Sequence, residues 1–75
     1  MSGLRELIYQ DVVRRLRRLG LRFYRSGKGS HELWVRDADG VVVPVPHRAG
    51  KPIRKGTLRA IIRELGLTVD EFMGE

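Results

Sequence analysis

Two short turns that contain glycine divide the middle of this chain into three segments, each with the residue pattern of a β-strand. The segments run from Leu21 to Ser26, from Ser30 to Asp37 and from Val41 to Val45. Alternating apolar and polar positions, or runs of β-branched residues, favour strands. Because so few residues separate the segments, neighbours can pair only in antiparallel fashion. The sequence therefore predicts a three-stranded antiparallel meander.

The residues between and within the segments agree with this prediction. Gly27 and Gly29 predict a tight turn, since glycine adopts a positive φ at little steric cost. Residues 37–40, an Asp-Ala-Asp-Gly sequence, predict a hairpin turn with a positive φ at Gly40. Pro44 cannot donate a hydrogen bond to a neighbouring strand, which predicts that the third strand lies at an edge of the sheet.

Amphipathic helices are predicted on either side of the strands. The first covers about Gln10 to Leu19 and ends at Gly20, and the second covers about Thr57 to Leu65. Thr68 and Glu71 have the spacing of a capping box, which predicts a last short helical turn.

The predicted order of elements is α-β-β-β-α, in a single domain over residues 1–75. Helices that cover one face of an antiparallel sheet form a two-layer α+β domain. The other face of the sheet is then free, as in a double-stranded-RNA-binding domain.

Composition limits the partners and the kind of site. Fifteen Lys and Arg residues against nine Asp and Glu give a net charge of +6, which indicates a polyanionic partner, with nucleic acid first, or only a soluble basic surface. The absence of cysteine excludes disulfides and thiolate sites and suits a reducing cytoplasm, where we expect the protein to act. The two histidines have no obvious third ligand, and no metal or other cofactor is predicted. No apolar run is long enough to cross a membrane.

His31 is the candidate for acid–base chemistry, because an imidazole transfers protons near neutral pH. Alternation places His31 on one face with Leu33 and Val35, and Trp34 on the other face. Which face the helices cover stays open, so Trp34 is either a core residue or a stacking platform for bases. The alternative for His31 is an ordinary polar strand residue. His47 is interpreted first as a loop histidine that fixes a turn.

Basic residues follow the third strand in a loop between His47 and Lys55. The arginines at positions 14, 15, 17 and 18 on the first helix are expected to face solvent. The candidates for RNA binding are Lys28, Ser30, Arg54, Lys55 and Arg59.

The order and spacing of several short motifs resemble the HicA toxins of toxin–antitoxin pairs. The motifs are Leu16-Arg17-Arg18-Leu19-Gly20, Gly29-Ser30-His31, Asp39-Gly40, Val43-Pro44-Val45-Pro46-His47, Lys55-Gly56-Thr57-Leu58, Gly66-Leu67-Thr68 and Glu71-Phe72.

This resemblance implies a fold similar to double-stranded-RNA-binding domains and a metal-independent mRNA endonuclease, or interferase. It also implies that His31 is the catalytic histidine and that an antitoxin protein of the HicB type binds the toxin and masks it. One imidazole can serve only one of the two proton transfers, and His47, Tyr24 and Lys28 are candidates for the other. A non-catalytic RNA-binding domain and a protein-interaction module stay as alternatives.

Overall fold

The computed structural model describes residues 3–48 and 50–74 and has the predicted order of elements. The predicted last helical turn is a third helix, shorter than the other two. Residues 1, 2, 49 and 75 of the predicted domain lie outside the described residues. The largest difference in a boundary is at the second helix, which begins two residues before Thr57, because Gly56 is accommodated in the first turn of that helix. The elements are α1 Tyr9–Arg18, β1 Leu21–Ser26, β2 His31–Arg36, β3 Val41–Pro46, α2 Lys55–Glu64 and α3 Val69–Met73.

The three strands form the predicted meander, with the order β1-β2-β3 and antiparallel pairing throughout. The third strand is at an edge, as Pro44 predicts, and Gly40 in the hairpin turn has a φ of 75°. The pairing of β1 with β2 shifts register between Phe23 and Arg25, which marks a bulge. His31 lies opposite Pro46, so the start of β2 and the end of β3 meet at one end of the sheet.

Trp34 is a core residue, and this decides the orientation of β2. Its side chain is 1% exposed, and it packs with residues of both long helices on one face of the sheet. Since side chains alternate along a strand, Leu33 projects from the opposite face. His31 is the first residue of β2, at the end of the sheet, where the loop after β3 and the first turn of α2 reach it. The buried apolar cluster contains Leu7, Val12, Val13, Leu16, Leu21, Trp34, Val43, Val45, Ile53, Leu58, Ile61, Ile62, Leu65, Phe72 and Met73.

The segment before α1 runs beside the loop that follows β3. The backbone N–H of Ile53 donates to the carbonyl oxygen of Leu7 at 2.7 Å, and both side chains are buried. The capping box of Thr68 and Glu71 is present at the start of α3. The link between residues 7 and 53 matters for function, because it fixes the position of Glu6 relative to that loop.

The prediction that all four arginines of α1 face solvent is wrong for Arg15. This residue is 8% exposed, and its Nη1 donates to the carbonyl oxygen of Asp11 at 3.1 Å. The other buried residues of α1 are Val12, Val13 and Leu16, and the long apolar stem of an arginine can cover such apolar surface. Within the described part of the chain, no helix has the length and apolar character needed to cross a membrane.

Candidate active site

A cleft of about 610 Å³ opens where the start of β2, the end of β3, the loop after β3 and the first turn of α2 come together. One histidine, His31, lines it. The other lining residues are Glu6, Pro46, Arg48, Lys51, Pro52, Ile53, Arg54 and Thr57.

The turn before β2 holds the imidazole of His31 in a defined orientation. Its Nδ1 lies 3.1 Å from the carbonyl oxygen of Lys28, and because a carbonyl oxygen only accepts, Nδ1 carries the hydrogen. The backbone of His31 is fixed on both sides, since its N–H donates to Lys28 and its carbonyl accepts from the N–H of Gly27 at 2.9 Å. The ring is exposed, so Nε2 is the atom that can exchange a proton with a substrate.

The charges along the cleft suit a phosphate group. Arg48, Lys51 and Arg54 contribute three cations, and Glu6 contributes the one carboxylate among the described lining residues. All four side chains belong to exposed residues. The cleft therefore combines an imidazole, a carboxylate and an excess of positive charge.

Glu6 was not predicted as a site residue. It reaches the cleft because the bond between Leu7 and Ile53 joins two segments that are far apart in the sequence, and no local pattern signals such a pairing. Arg48 and Lys51 could have been predicted as site residues, since both lie in the basic loop after β3.

His47 lies outside the lining of this cleft and belongs to a different group of side chains, the Glu32 cluster, which consists of Tyr9, Glu32, Trp34 and His47. The Glu32 carboxylate accepts hydrogen bonds from the Tyr9 hydroxyl at 2.6 Å and from the Trp34 Nε1 at 3.1 Å. Its Oε2 lies 3.1 Å from the Nδ1 of His47. The rings of His47 and Tyr9 stack with centroids 3.8 Å apart and planes 9° from parallel.

Two pKa values reflect the contacts within the Glu32 cluster. Burial alone would raise the pKa of Glu32, but the hydrogen bonds from Tyr9, Trp34 and His47, together with the charge of His47, lower it overall. Burial and the contact with Glu32 raise the pKa of Tyr9 to about 12. At neutral pH, Glu32 is therefore an ionised acceptor and Tyr9 a protonated donor, and the two form a hydrogen bond with each other.

The structure brings together only part of the predicted RNA-binding set. Arg54 lines the cleft with His31. Lys28 contacts His31 through its carbonyl oxygen, and the carbonyl oxygen of Ser30 accepts from the N–H of His47 at 2.8 Å. Lys55 is exposed at the start of α2, next to Arg54.

Arg59 is separated from this group. It lines a different hollow on α2 with Ile62, Arg63 and residues 67–69. Among residues 3–48 and 50–74, no group of three or more His, Cys, Asp or Glu side chains could hold a metal ion.

The family comparison agrees with the motifs of this chain. The model of a family described as the HicA toxin of bacterial toxin–antitoxin matches residues 9–67, which include α1, the whole sheet, α2 and the turn that carries His31. Comparison with curated proteins and with solved structures gives no significant match. Since the match covers well over half of the sequence and every element that forms the sheet and its two long helices, the chain belongs to the HicA toxin family of bacterial toxin–antitoxin systems.

Proposed function

We propose that this toxin is a metal-independent endoribonuclease that cleaves mRNA in the cytoplasm, with His31 as a catalytic residue and a fold like that of double-stranded-RNA-binding domains. One observation carries the proposal. An exposed imidazole, with its tautomer set by the carbonyl of Lys28, lies in a cleft whose other charged groups are three cations and one carboxylate. These are the groups that RNA cleavage without a metal ion requires.

The proposed reaction is attack by the ribose 2′-hydroxyl on the adjacent phosphorus. A new bond forms between the 2′-oxygen and phosphorus, the bond from phosphorus to the 5′-oxygen breaks, and the products end in a 2′,3′-cyclic phosphate and a 5′-hydroxyl. Glu6 takes the proton from the 2′-hydroxyl, and the Nε2 of the His31 imidazolium gives a proton to the leaving 5′-oxygen. This assignment follows the geometry of the cleft, since Glu6 is the one carboxylate among the described lining residues and Nε2 is the ring nitrogen of His31 that is not bonded to Lys28.

The cations hold the phosphate and stabilise the charge that builds on it. Arg48, Lys51 and Arg54 line the cleft and neutralise neighbouring phosphates. Lys28, in the turn before His31, stabilises the extra charge of the transition state.

The direct test is incubation of the purified chain with single-stranded RNA in EDTA. Cleavage that leaves a 2′,3′-cyclic phosphate supports the proposal. RNA binding without any cleavage would instead indicate the alternative function, a non-catalytic RNA-binding domain of the same fold.

Replacement of Arg54 by alanine is expected to weaken RNA binding across sequences. Loss of one phosphate contact should also flatten the dependence of log K on log[salt] by roughly 0.7 for a single strand. The measurement is RNA affinity at several salt concentrations. Arg14→Ala is the matched control, because it removes the same charge from an exposed guanidinium that pairs with Asp11 on α1.

Arg59→Ala extends the comparison along α2. Lys28, Lys55 and Arg59 were predicted with Arg54 as RNA contacts, but Arg59 lines a separate hollow. Among alanine replacements of these four residues, we therefore expect Arg59→Ala to lower RNA affinity least. If Arg14→Ala lowered RNA affinity as much as Arg54→Ala, RNA binding would be diffuse and the cleft would not be the RNA site.

Membership of a toxin–antitoxin family implies an antitoxin partner. We propose that this partner is a protein of the HicB type and that its acidic groups cover the cleft, against Arg48, Lys51 and Arg54. Co-expression is then expected to prevent toxicity and to slow amide hydrogen exchange at residues 29–32. An antitoxin that protected only α1 and left His31 exposed would contradict masking of the cleft.

A further inference from the structure

We propose that the outer face of the His47 ring is a stacking site for one unpaired nucleobase of the RNA, beside the phosphate that is cleaved. This inference rests on the proposed function, because it places a base next to the His31 cleft. It gives His47 a role in binding rather than in proton transfer.

The His47 ring is held firmly but is not buried. Tyr9 stacks on one face at 3.8 Å, Glu32 fixes the Nδ1 edge at 3.1 Å, and the backbone N–H of His47 donates to Ser30. The side chain is nevertheless 48% exposed. An aromatic ring with one face covered, one edge bonded and nearly half of its surface in solvent presents its second face to a ligand. Because the ring is already ordered, little conformational entropy is lost when a base binds.

The Glu32 carboxylate does not depend on His47 for its hydrogen bonds. Tyr9 and Trp34 both donate to its Oε1 at 2.6 and 3.1 Å. A purely structural cluster would therefore be largely satisfied without an imidazole at position 47. The third bond, to Oε2, chiefly orients the His47 ring.

The position of His47 relative to the cleft fits a neighbouring nucleotide. Pro46 and Arg48, the residues before and after it, both line the cleft, whereas His47 does not. His47 is therefore adjacent to the cleft lining in the chain, and the proposal places the nucleotide next to the bound phosphate against its ring. Proteins commonly bind unpaired RNA bases by stacking them on aromatic side chains.

The other aromatic side chains are poor alternatives at this place. Trp34 and Phe72 are buried, and the ring of Tyr9 is the one that stacks on His47. Phe23 and Tyr24 are about half exposed, but they lie on β1, at the opposite edge of the sheet from β3.

The test uses single-stranded 2′-O-methyl RNA, which has no 2′-hydroxyl to attack, with one fluorescent 2-aminopurine placed at each position in turn. Two variants separate the ring from its hydrogen bond. His47→Phe keeps an aromatic ring against Tyr9 and loses the bond to Glu32, and His47→Gln keeps a donor for Glu32 and loses the ring. Melting temperatures confirm that both variants fold.

We expect the parent chain and His47→Phe to quench the fluorescence at the same position of the RNA. His47→Gln should lose this quenching and bind about 5- to 150-fold more weakly, the range for loss of one base stack. Tyr24→Ala is the control and should retain the quenching.

Three results would overturn the inference alone. The first is quenching at no position by a parent chain that binds RNA, and the second is equal quenching by His47→Gln and the parent. The third is loss of quenching in a folded His47→Phe variant, which would assign the role to the imidazole nitrogens. Failure of the parent chain to bind RNA at all would overturn the proposed function and this inference with it.

Discussion

Replacement of His31 by alanine is expected to abolish RNA cleavage and growth arrest while the chain stays folded and still binds RNA. Loss of a proton-transfer group typically lowers a rate by about a hundred- to ten-thousand-fold. The imidazole is exposed, and its bond to Lys28 lies at the surface, so its removal should change the free energy of unfolding by no more than about 1 kcal/mol. Under the proposed function, the cations of the cleft supply most of the RNA affinity, and this substitution leaves them in place.

The measurements are single-turnover cleavage at saturating protein, RNA affinity and melting temperature. His47→Gln is the informative control, because His47 lies outside the cleft lining. It should lose affinity but retain the cleavage rate of the bound RNA, whereas His31→Ala should retain affinity and lose the rate. Cleavage by His31→Ala at the parent rate would contradict a catalytic role for His31. Unfolding of that variant would assign His31 a structural role.

The secondary structure was predictable because its signals are local. Alternation, two glycine turns and a capping box each depend on residues a few positions apart, and the strands, Gly40 and the box of Thr68 and Glu71 were found where predicted. The orientation of β2 was not predictable. Leu33, Trp34 and Val35 are consecutive apolar residues, and Trp34 and Val35 are both buried, so the pattern does not distinguish the two faces.

The candidate site was predictable only in part, because it is assembled by contacts between distant residues. His31 was found from its turn, and Arg54 from the basic loop. The contact of Tyr9 with Glu32 spans 23 residues, and that of Glu32 with His47 spans 15. Such pairs depend on how the helix and the sheet pack, and a single sequence carries no signal for them. For the same reason, the position of Glu6 in the cleft lining, and that of His47 outside it, could not be predicted.

Replacement of Glu6 by glutamine is expected to lower the cleavage rate by about a hundred- to ten-thousand-fold, the ordinary contribution of a general base. Glutamine has nearly the same shape but cannot accept a proton. Because the change removes a negative charge from a cleft lined by Arg48, Lys51 and Arg54, RNA affinity should stay the same or rise. Glu6 is exposed, so stability should change by no more than about 0.5 kcal/mol.

The pH dependence of single-turnover cleavage separates a base from a residue that only shapes the cleft. A base and an acid together give a bell-shaped profile, and Glu6→Gln should lose its acidic limb while the alkaline limb, which reports the acid, remains. Glu64→Gln is the matched control, since it makes the same change at an exposed residue of α2 outside the cleft. Cleavage by Glu6→Gln at the parent rate and with both limbs intact would show that the base is another group. An equal loss of rate at every pH would limit Glu6 to positioning the RNA.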